Sequence, residues 1–363
     1  MADAPSPLDF EVVRLAARAE LTDERRQALL QAVAEGPSWV HVLGLARAHN
    51  VLPLVDVHLR DVMPREAADA LHQHVKRSAV RVLFLSSEMA ALARAFREAG
   101  VPFLVMKGPS MAAAYGGTSR RPYVDNDLLV RRGDFDRAER VLADEGFAWR
   151  KRGGLRKALY LLVHGEYTFS RVRGTMASTV DLHTRLLPFG FAFDGPFGAL
   201  QERARTLTVA GETVPALGWE DLYLTLAVNA LKDQWGRLRL ATDFAEVAGM
   251  ITDWPALLAR AAGGRCLRAT HVAILVSADE VGAVYPAPVL EQARADRRAV
   301  RLARAVAVRL REAHERRVMR SRDRVLFNAL ATDGVAGQAR YVWYATVRRA
   351  TEWYVDPEAA EAA

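Results

Sequence analysis

With 363 residues, 51% of them hydrophobic and 26% charged, the chain has the composition of a globular protein with room for two or three domains, and not of a disordered or fibrous one. No apolar run approaches the ~18–20 uncharged residues of a membrane-spanning helix, and a single cysteine, Cys266, can close neither an internal disulfide nor a thiolate metal site. The formal net charge of +7 invites a nucleic-acid partner, but twelve arginines against four acids between Arg294 and Arg324 account for it, leaving the remainder near neutrality.

The opening MADAPSPLDFEVV lacks the basic head and apolar middle of a signal peptide, so a cytoplasmic location without membrane attachment is expected. From about residue 8 to 98 the pattern is helical. The segments EVVRLAARA, DERRQALLQAVAE and WVHVLGLARAH repeat apolar residues three and four apart, with Asp23 and Ser38 placed as N-caps. A longer helix is predicted from Pro64 to Ala99, closed by Gly100.

The period then changes. VPFLVMKG reads as a short strand, PSMAAAYGG as a short helix, YVDNDLLV as a second strand, and DFDRAERVLADEG as an amphipathic helix closed by Gly146. FAWR starts a third strand, and YLLVHGEYTFSRV and STVDLHTRL read as further strands joined through Gly174. FGFAFDGPFG, residues 189–198, has no period and reads as a connector. From Trp219 the chain is helical again, through WEDLYLTLAVNALKD, LATDFAEVAGMI, WPALLARAA and VAGQARYVWYATVRRATEWY. The basic stretch carries Ala299, Leu302, Val306, Leu310 and Ala313 along one stripe, so it reads as a packed helix whose basic face is either simply solvated or a contact surface for phosphate or nucleic acid. The expected fold class is α+β: a small mixed-sheet core at 99–215, inserted between an N-terminal helical region (1–98) and a C-terminal one (216–363).

Asp125 and Asp127 stand one residue apart in RPYVDNDLLV, so in a strand both carboxylates take the same face, roughly 7 Å apart. Like charges at that spacing call for a positive partner: Arg120 or Arg121 in an ion pair, or a metal. Asp181, flanked by Val180 and Leu182 on another strand-like run, adds a third carboxylate. Three carboxylates on neighbouring strands suit Mg²⁺, a hard ion that keeps waters and phosphates as further ligands. Lys107 ends a strand, Gly108 turns the chain and Pro109 opens a helix, a corner that brings backbone N–H groups toward phosphate. Alone, KGPS, with Ser110, is also an ordinary strand–turn–helix corner. His183 shares the face of Asp181, and His164 and Glu166 lie in the preceding strand-like run.

The ordered set of strand–KG–helix, RPYVDNDLLV, FDRAERVLADEGF and VDLHTRL, followed by LYLTLAVNALKDQWGRLRLATDFAEV, resembles the bacterial uncharacterised nucleotidyltransferase family of the DNA polymerase β-like superfamily over about residues 80–250. Two departures stand out. Asn126 replaces an aliphatic residue between the aspartates, and Asn229 and Asp233 stand where the family tends to carry histidines, while Trp235, Arg237, Leu238 and Asp243 fit.

The resemblance implies that Asp125, Asp127 and Asp181 bind Mg²⁺, or Mn²⁺ in its place. Lys107, Gly108 and Ser110 would hold the triphosphate, with Arg121 and His183 as further phosphate contacts. The implied reaction moves a nucleoside monophosphate from an NTP to a hydroxyl or phosphate on a small molecule, peptide, protein or RNA, with release of pyrophosphate. The other reading is a degraded member that binds nucleotide or nucleic acid without turnover.

Overall fold

The structure is a computed structural model describing residues 4–149, 155–191, 193, 195–312, 319 and 321–355. The chain enters through helices α1 (Pro7–Ala16), α2 (Asp23–Ala34), α3 (Trp39–Ala48), α4 (Leu52–Leu59) and the 34-residue α5 (Arg65–Glu98). Local chemistry sets their starts. Pro7 opens α1 after Ser6, whose hydroxyl accepts from the Asp9 N–H while the Asp9 carboxylate accepts from the Ser6 N–H. Thr22, and not Asp23, caps α2: its hydroxyl accepts from the Arg25 N–H, which makes Asp23 the first helical residue. Ser38 does precede α3, but its hydroxyl caps nothing. Its N–H instead donates to Asp9 Oδ1 at 2.7 Å and ties α3 to α1.

Seven strands follow among the described residues: β1 (Phe103–Val105), β2 (Asn126–Val130), β3 (Ala148–Trp149), β4 (Glu166–Arg173), β5 (Met176–His183), β6 (Arg205–Val209) and β7 (Glu212–Ala216). They form one mixed sheet in the order β3-β4-β5-β2-β1-β7-β6. The pairs β2·β5 and β1·β7 are parallel and the other four antiparallel. Between them lie α6 (Pro109–Ala114), α7 (Phe135–Asp144), α8 (Leu155–His164) and α9 (Phe197–Glu202).

One face of the sheet packs on α5. Val105, Leu128, Val130, Tyr167, Phe169, Val180 and Leu182 form one core with Met89, Leu92 and Phe96 of that helix. Strand alternation sends the intervening side chains to the other face. Asn126 therefore points at α5, where its Nδ2 donates to the Leu85 carbonyl at 3.2 Å. Thr168, Asp127, Asp181 and His183 are left on the opposite side.

Two stretches differ from their sequence reading. YLLVH is the end of helix α8, not strand: Gly165, at φ +72°, separates it from β4. The apolar run YLLV suits a buried helix as well as a strand, and α8 packs against the last of the described helices. The hairpin β6–β7 had no counterpart in the sequence reading. Its two-residue turn, Ala210 at φ +48° and Gly211 at φ +83°, has an alanine where Asn or Asp is usual, and Pro215 weakens the strand signal of β7.

The remaining helices are α10 (Trp219–Lys232), α11 (Leu238–Ala248), α12 (Trp254–Gly263), α13 (Leu267–Val281), α14 (Ala287–Ala295), α15 (Arg297–Glu312), α16 (Ser321–Ala331) and α17 (Val335–Val355). In α15 Ala299, Leu302, Ala303, Val306 and Leu310 are buried, while Arg297, Arg298, Arg301 and Arg304 are exposed. Ala313, which the sequence places on the same stripe, lies outside the described residues. The fold is α+β, a small mixed sheet with helices before and after it. Among the described residues no helix is long and apolar enough to cross a membrane.

Candidate active site

The parallel register of β2 and β5 pairs Asp127 directly with Asp181, and β4 places Thr168 on the other side of Asp181. Thr168 Oγ1 donates to Asp181 Oδ1 at 2.6 Å. His183, two residues on, lies between two carboxylates: Nε2 is 3.1 Å from Asp127 Oδ1 and Nδ1 is 3.3 Å from Glu166 Oε2. Glu166 Oε1 in turn faces Lys232 Nζ at 3.5 Å, from the last turn of α10. Asp125 lies just before β2, half-buried. Lys107 enters from the corner between β1 and α6, where Gly108 takes φ +47° and ψ −105°. A β-carbon at Gly108 would stand 3.1 Å from the Asp125 carbonyl oxygen, so the glycine lets this corner close onto the aspartate segment.

The charges sort the carboxylates into two kinds. Burial, then the neighbouring Asp127 and Asp181, push Asp125 up to about 6. Asp181 is raised for the same reasons, burial first and then Asp127. Burial would raise Asp127 too, but Lys107 and the His183 hydrogen bond outweigh it and hold this carboxyl well below its usual range. Lys107 is stabilised as the cation: burial works against its charge, and Asp127, Asp233, Glu166 and Asp125 together overcome it. His183 is likewise raised, its burial outweighed by Asp127 and Glu166.

The other expected site residues are placed differently. Arg121 does not meet the carboxylate cluster. Its guanidinium grips Asp243 of α11 through Nε (2.8 Å) and Nη2 (3.0 Å), and Tyr115 donates to the same carboxylate at 2.6 Å. The ion pair expected as the alternative, Arg120 or Arg121 with the strand aspartates, does not form either: Arg121 holds Asp243 and Arg120 holds Glu20. Ser110 is completely buried, and its hydroxyl has no hydrogen-bond partner among the described residues. His164 is buried at the end of α8, one residue before the Gly165 turn. Asn229 is buried near the end of α10, and Asp233 is the exposed residue that ends that helix.

Three participants had no sequence reading: Thr168, Lys232 and Arg239. Thr168 shows only in the strand register. Lys232 does have a signal in the sequence: the chain has only five lysines, and two of them, Lys107 and Lys232, meet at this cluster. Arg239, on α11, acts on Asp125 as an opposing charge.

The donor set suits a hard divalent cation: three carboxylates on or beside adjacent strands, two of them, Asp125 and Asp181, raised by burial and then by the charge of Asp127, which a cation would offset. The side chains do not converge as they lie. Among the described residues no three His, Cys, Asp or Glu side chains are arranged to hold a metal, with Asp127 engaged by His183 and Asp181 by Thr168.

A mixed sheet bearing this aspartate set beside a lysine–glycine corner defines a nucleotidyltransferase-like protein. The chain belongs to the uncharacterised nucleotidyltransferase family, whose model matches residues 35–282. No curated protein matches it. Among solved structures it is similar to an antigenic nucleotidyltransferase-like protein from Paracoccidioides brasiliensis, at 15% identity and a TM-score of 0.35, covering 58% of this chain and 91% of that one.

Proposed function

We propose that the protein transfers a nucleoside monophosphate from an NTP to a hydroxyl or phosphate acceptor and releases pyrophosphate. The observation that carries this reading is the parallel pairing of Asp127 with Asp181, with Asp125 two residues before and Lys107 held as a cation against them. Asp125, Asp127 and Asp181 are the residues that would hold Mg²⁺ or Mn²⁺, which supplies positive charge against the triphosphate and the departing pyrophosphate. Lys107 offers its ammonium to the phosphates, and the Gly108 corner lets the backbone approach them. His183 and Lys232, through Glu166, keep Asp127 ionised and oriented. Asp181, steadied by Thr168, takes the proton of an acceptor hydroxyl as its oxygen bonds to the α-phosphorus and the bond to pyrophosphate breaks. Alignment and charge neutralisation supply the rate, with no covalent enzyme intermediate.

Transfer from NTPs labelled at the α-phosphorus, assayed with Mg²⁺ against candidate acceptors, tests the reading, and Asp127→Asn and Asp181→Asn must each lower the transfer by roughly two orders of magnitude or more. A second reading, nucleotide binding without turnover, has in its favour that no three ligating side chains converge among the described residues. NTP binding without pyrophosphate release on any acceptor, RNA included, would select it.

A further inference from the structure

A small cavity lies where α4, α5 and α11 meet the segment between α6 and β2. About 70 Å³ of it is open to water. At roughly 10–15 Å³ per water this admits several waters, room enough for one phosphate or carboxylate group. Its lining includes Arg120, Arg121 and Arg239, with His74, Ser78 and Asn50, and contains no acid.

The three arginines are not equivalent. Arg120 is paired with Glu20 at 2.7 Å, and Arg121 with Asp243. Arg239 has neither arrangement. Its guanidinium makes no hydrogen bond or close ion pair among the described residues, and its buried Nε has no acceptor. Arg121 is the largest influence against its charge, followed by burial, and together they bring it down to about 10, so it is still a cation at neutral pH. Asp243, already held by Arg121, offsets part of that cost, but the Arg239 Nε still has no acceptor; an anion is favoured beside it, because a buried charge without a hydrogen-bonded partner is costly and a planar fork of N–H donors is shaped for oxyanions.

The cavity is separate from the corner that faces the phosphates of an NTP. Tyr115, in the cavity wall, ends α6, and Gly108 begins it. At ~1.5 Å per residue these ends stand roughly 10 Å apart. The charge of Arg239, in the cavity wall, is nevertheless felt at Asp125.

We propose that this arginine-lined cavity is a subsite for one anionic group, a phosphate or a carboxylate, carried by the acceptor. That the anion belongs to the acceptor rests on the transferase reading; the anion site itself does not.

Binding to the full-length protein is measured by calorimetry, with inorganic phosphate and acetate as separate probes, so that the preferred anion is identified. The expected result is saturable binding of at least one probe, weakened about tenfold or more by Arg239→Gln and less by Arg239→Lys. Binding should be unchanged by Lys107→Ala and not displaced by ATP. Ser78→Phe, which fills the cavity without removing charge, should also abolish binding and serves if the Arg239 variants fail to fold. No binding of either probe, binding insensitive to Arg239→Gln and Ser78→Phe, or binding lost in Lys107→Ala and displaced by ATP would each overturn the proposal. Loss of ATP binding or turnover with anion binding intact would count against the transferase reading alone.

Discussion

Arg121 and Asp243 are 122 positions apart in the chain and meet in a two-point grip, with 11% and 3% of their side chains exposed. The pair fastens the segment leading into β2 to helix α11, and Tyr115 adds a third bond to the same carboxylate. It therefore sets where Asp125 and Asp127 begin. Arg121→Ala leaves the buried Asp243 charge opposite no fork, and is expected to destabilise the protein by about 3–5 kcal/mol in denaturant unfolding. Arg121→Met combined with Asp243→Leu should recover much of that loss. The Tyr115 hydroxyl, left without its acceptor, keeps about 1–3 kcal/mol of it.

Asp127→Asn keeps the shape of the side chain and an acceptor for His183, but removes the charge that Lys107 and His183 are arranged around. Nucleotidyl transfer should fall by roughly two to three orders of magnitude, about 3–4 kcal/mol of transition-state stabilisation, while the thermal midpoint moves little. A transfer assay run beside a melting curve on the same preparation separates the two effects.

Gly108→Ala places a β-carbon 3.1 Å from the Asp125 carbonyl oxygen and 3.4 Å from the Tyr123 ring, in a conformation with φ +47° that L residues rarely adopt. The strain should cost about 1–3 kcal/mol. Because the clash falls on the Asp125 backbone, transfer should drop further than global stability does. Equal proportional losses in both would show that the corner serves only the fold.

His49 gives a pH dependence with a definite sign. It is fully buried, its Nδ1 accepts from the Leu238 N–H at 3.1 Å, and burial brings its pKa from 6.5 down to about 4. Above pH 6.5 the ring is neutral in both folded and unfolded chains and contributes no pH dependence. Between 6.5 and 4 the unfolded chain takes up a proton that the folded one refuses, so stability is lost as the pH falls and levels off below the folded value. That lowering of the pKa corresponds to roughly 3 kcal/mol. Unfolding midpoints across this range should be flatter in His49→Gln than in the wild type.

What was legible in the sequence was local. The alternation of Asp125, Asn126 and Asp127 fixed which side chains shared a face, and Asn126 does lie on the α5 side. The lengths of α5 and α7 followed from unbroken helical periods closed by Gly100 and Gly146. What was not legible depended on distant partners or on ambiguous local chemistry. Nothing near Arg121 announces Asp243, so the guanidinium was free to be read as a phosphate contact. The run LYLLV has no period that separates strand from helix, and only packing on α17 decides it. The β6–β7 turn uses Ala210 in a conformation that Asn would have advertised.

The parallel pairing of β2 with β5 also bears on when the site comes into being. The chain between Asp127 and Asp181 runs through α7, β3, α8 and β4, 54 positions in all, before returning alongside. The β4–β5 hairpin, with its turn at Gly174, brings Thr168 to Asp181 through local contacts. Joining that hairpin to β2 closes a long loop, and such steps are slow because chain entropy is lost before the contacts form. The β4–β5 hairpin is therefore expected to form before it docks on β2, and undocking it would separate Asp181 and Thr168 from Asp127.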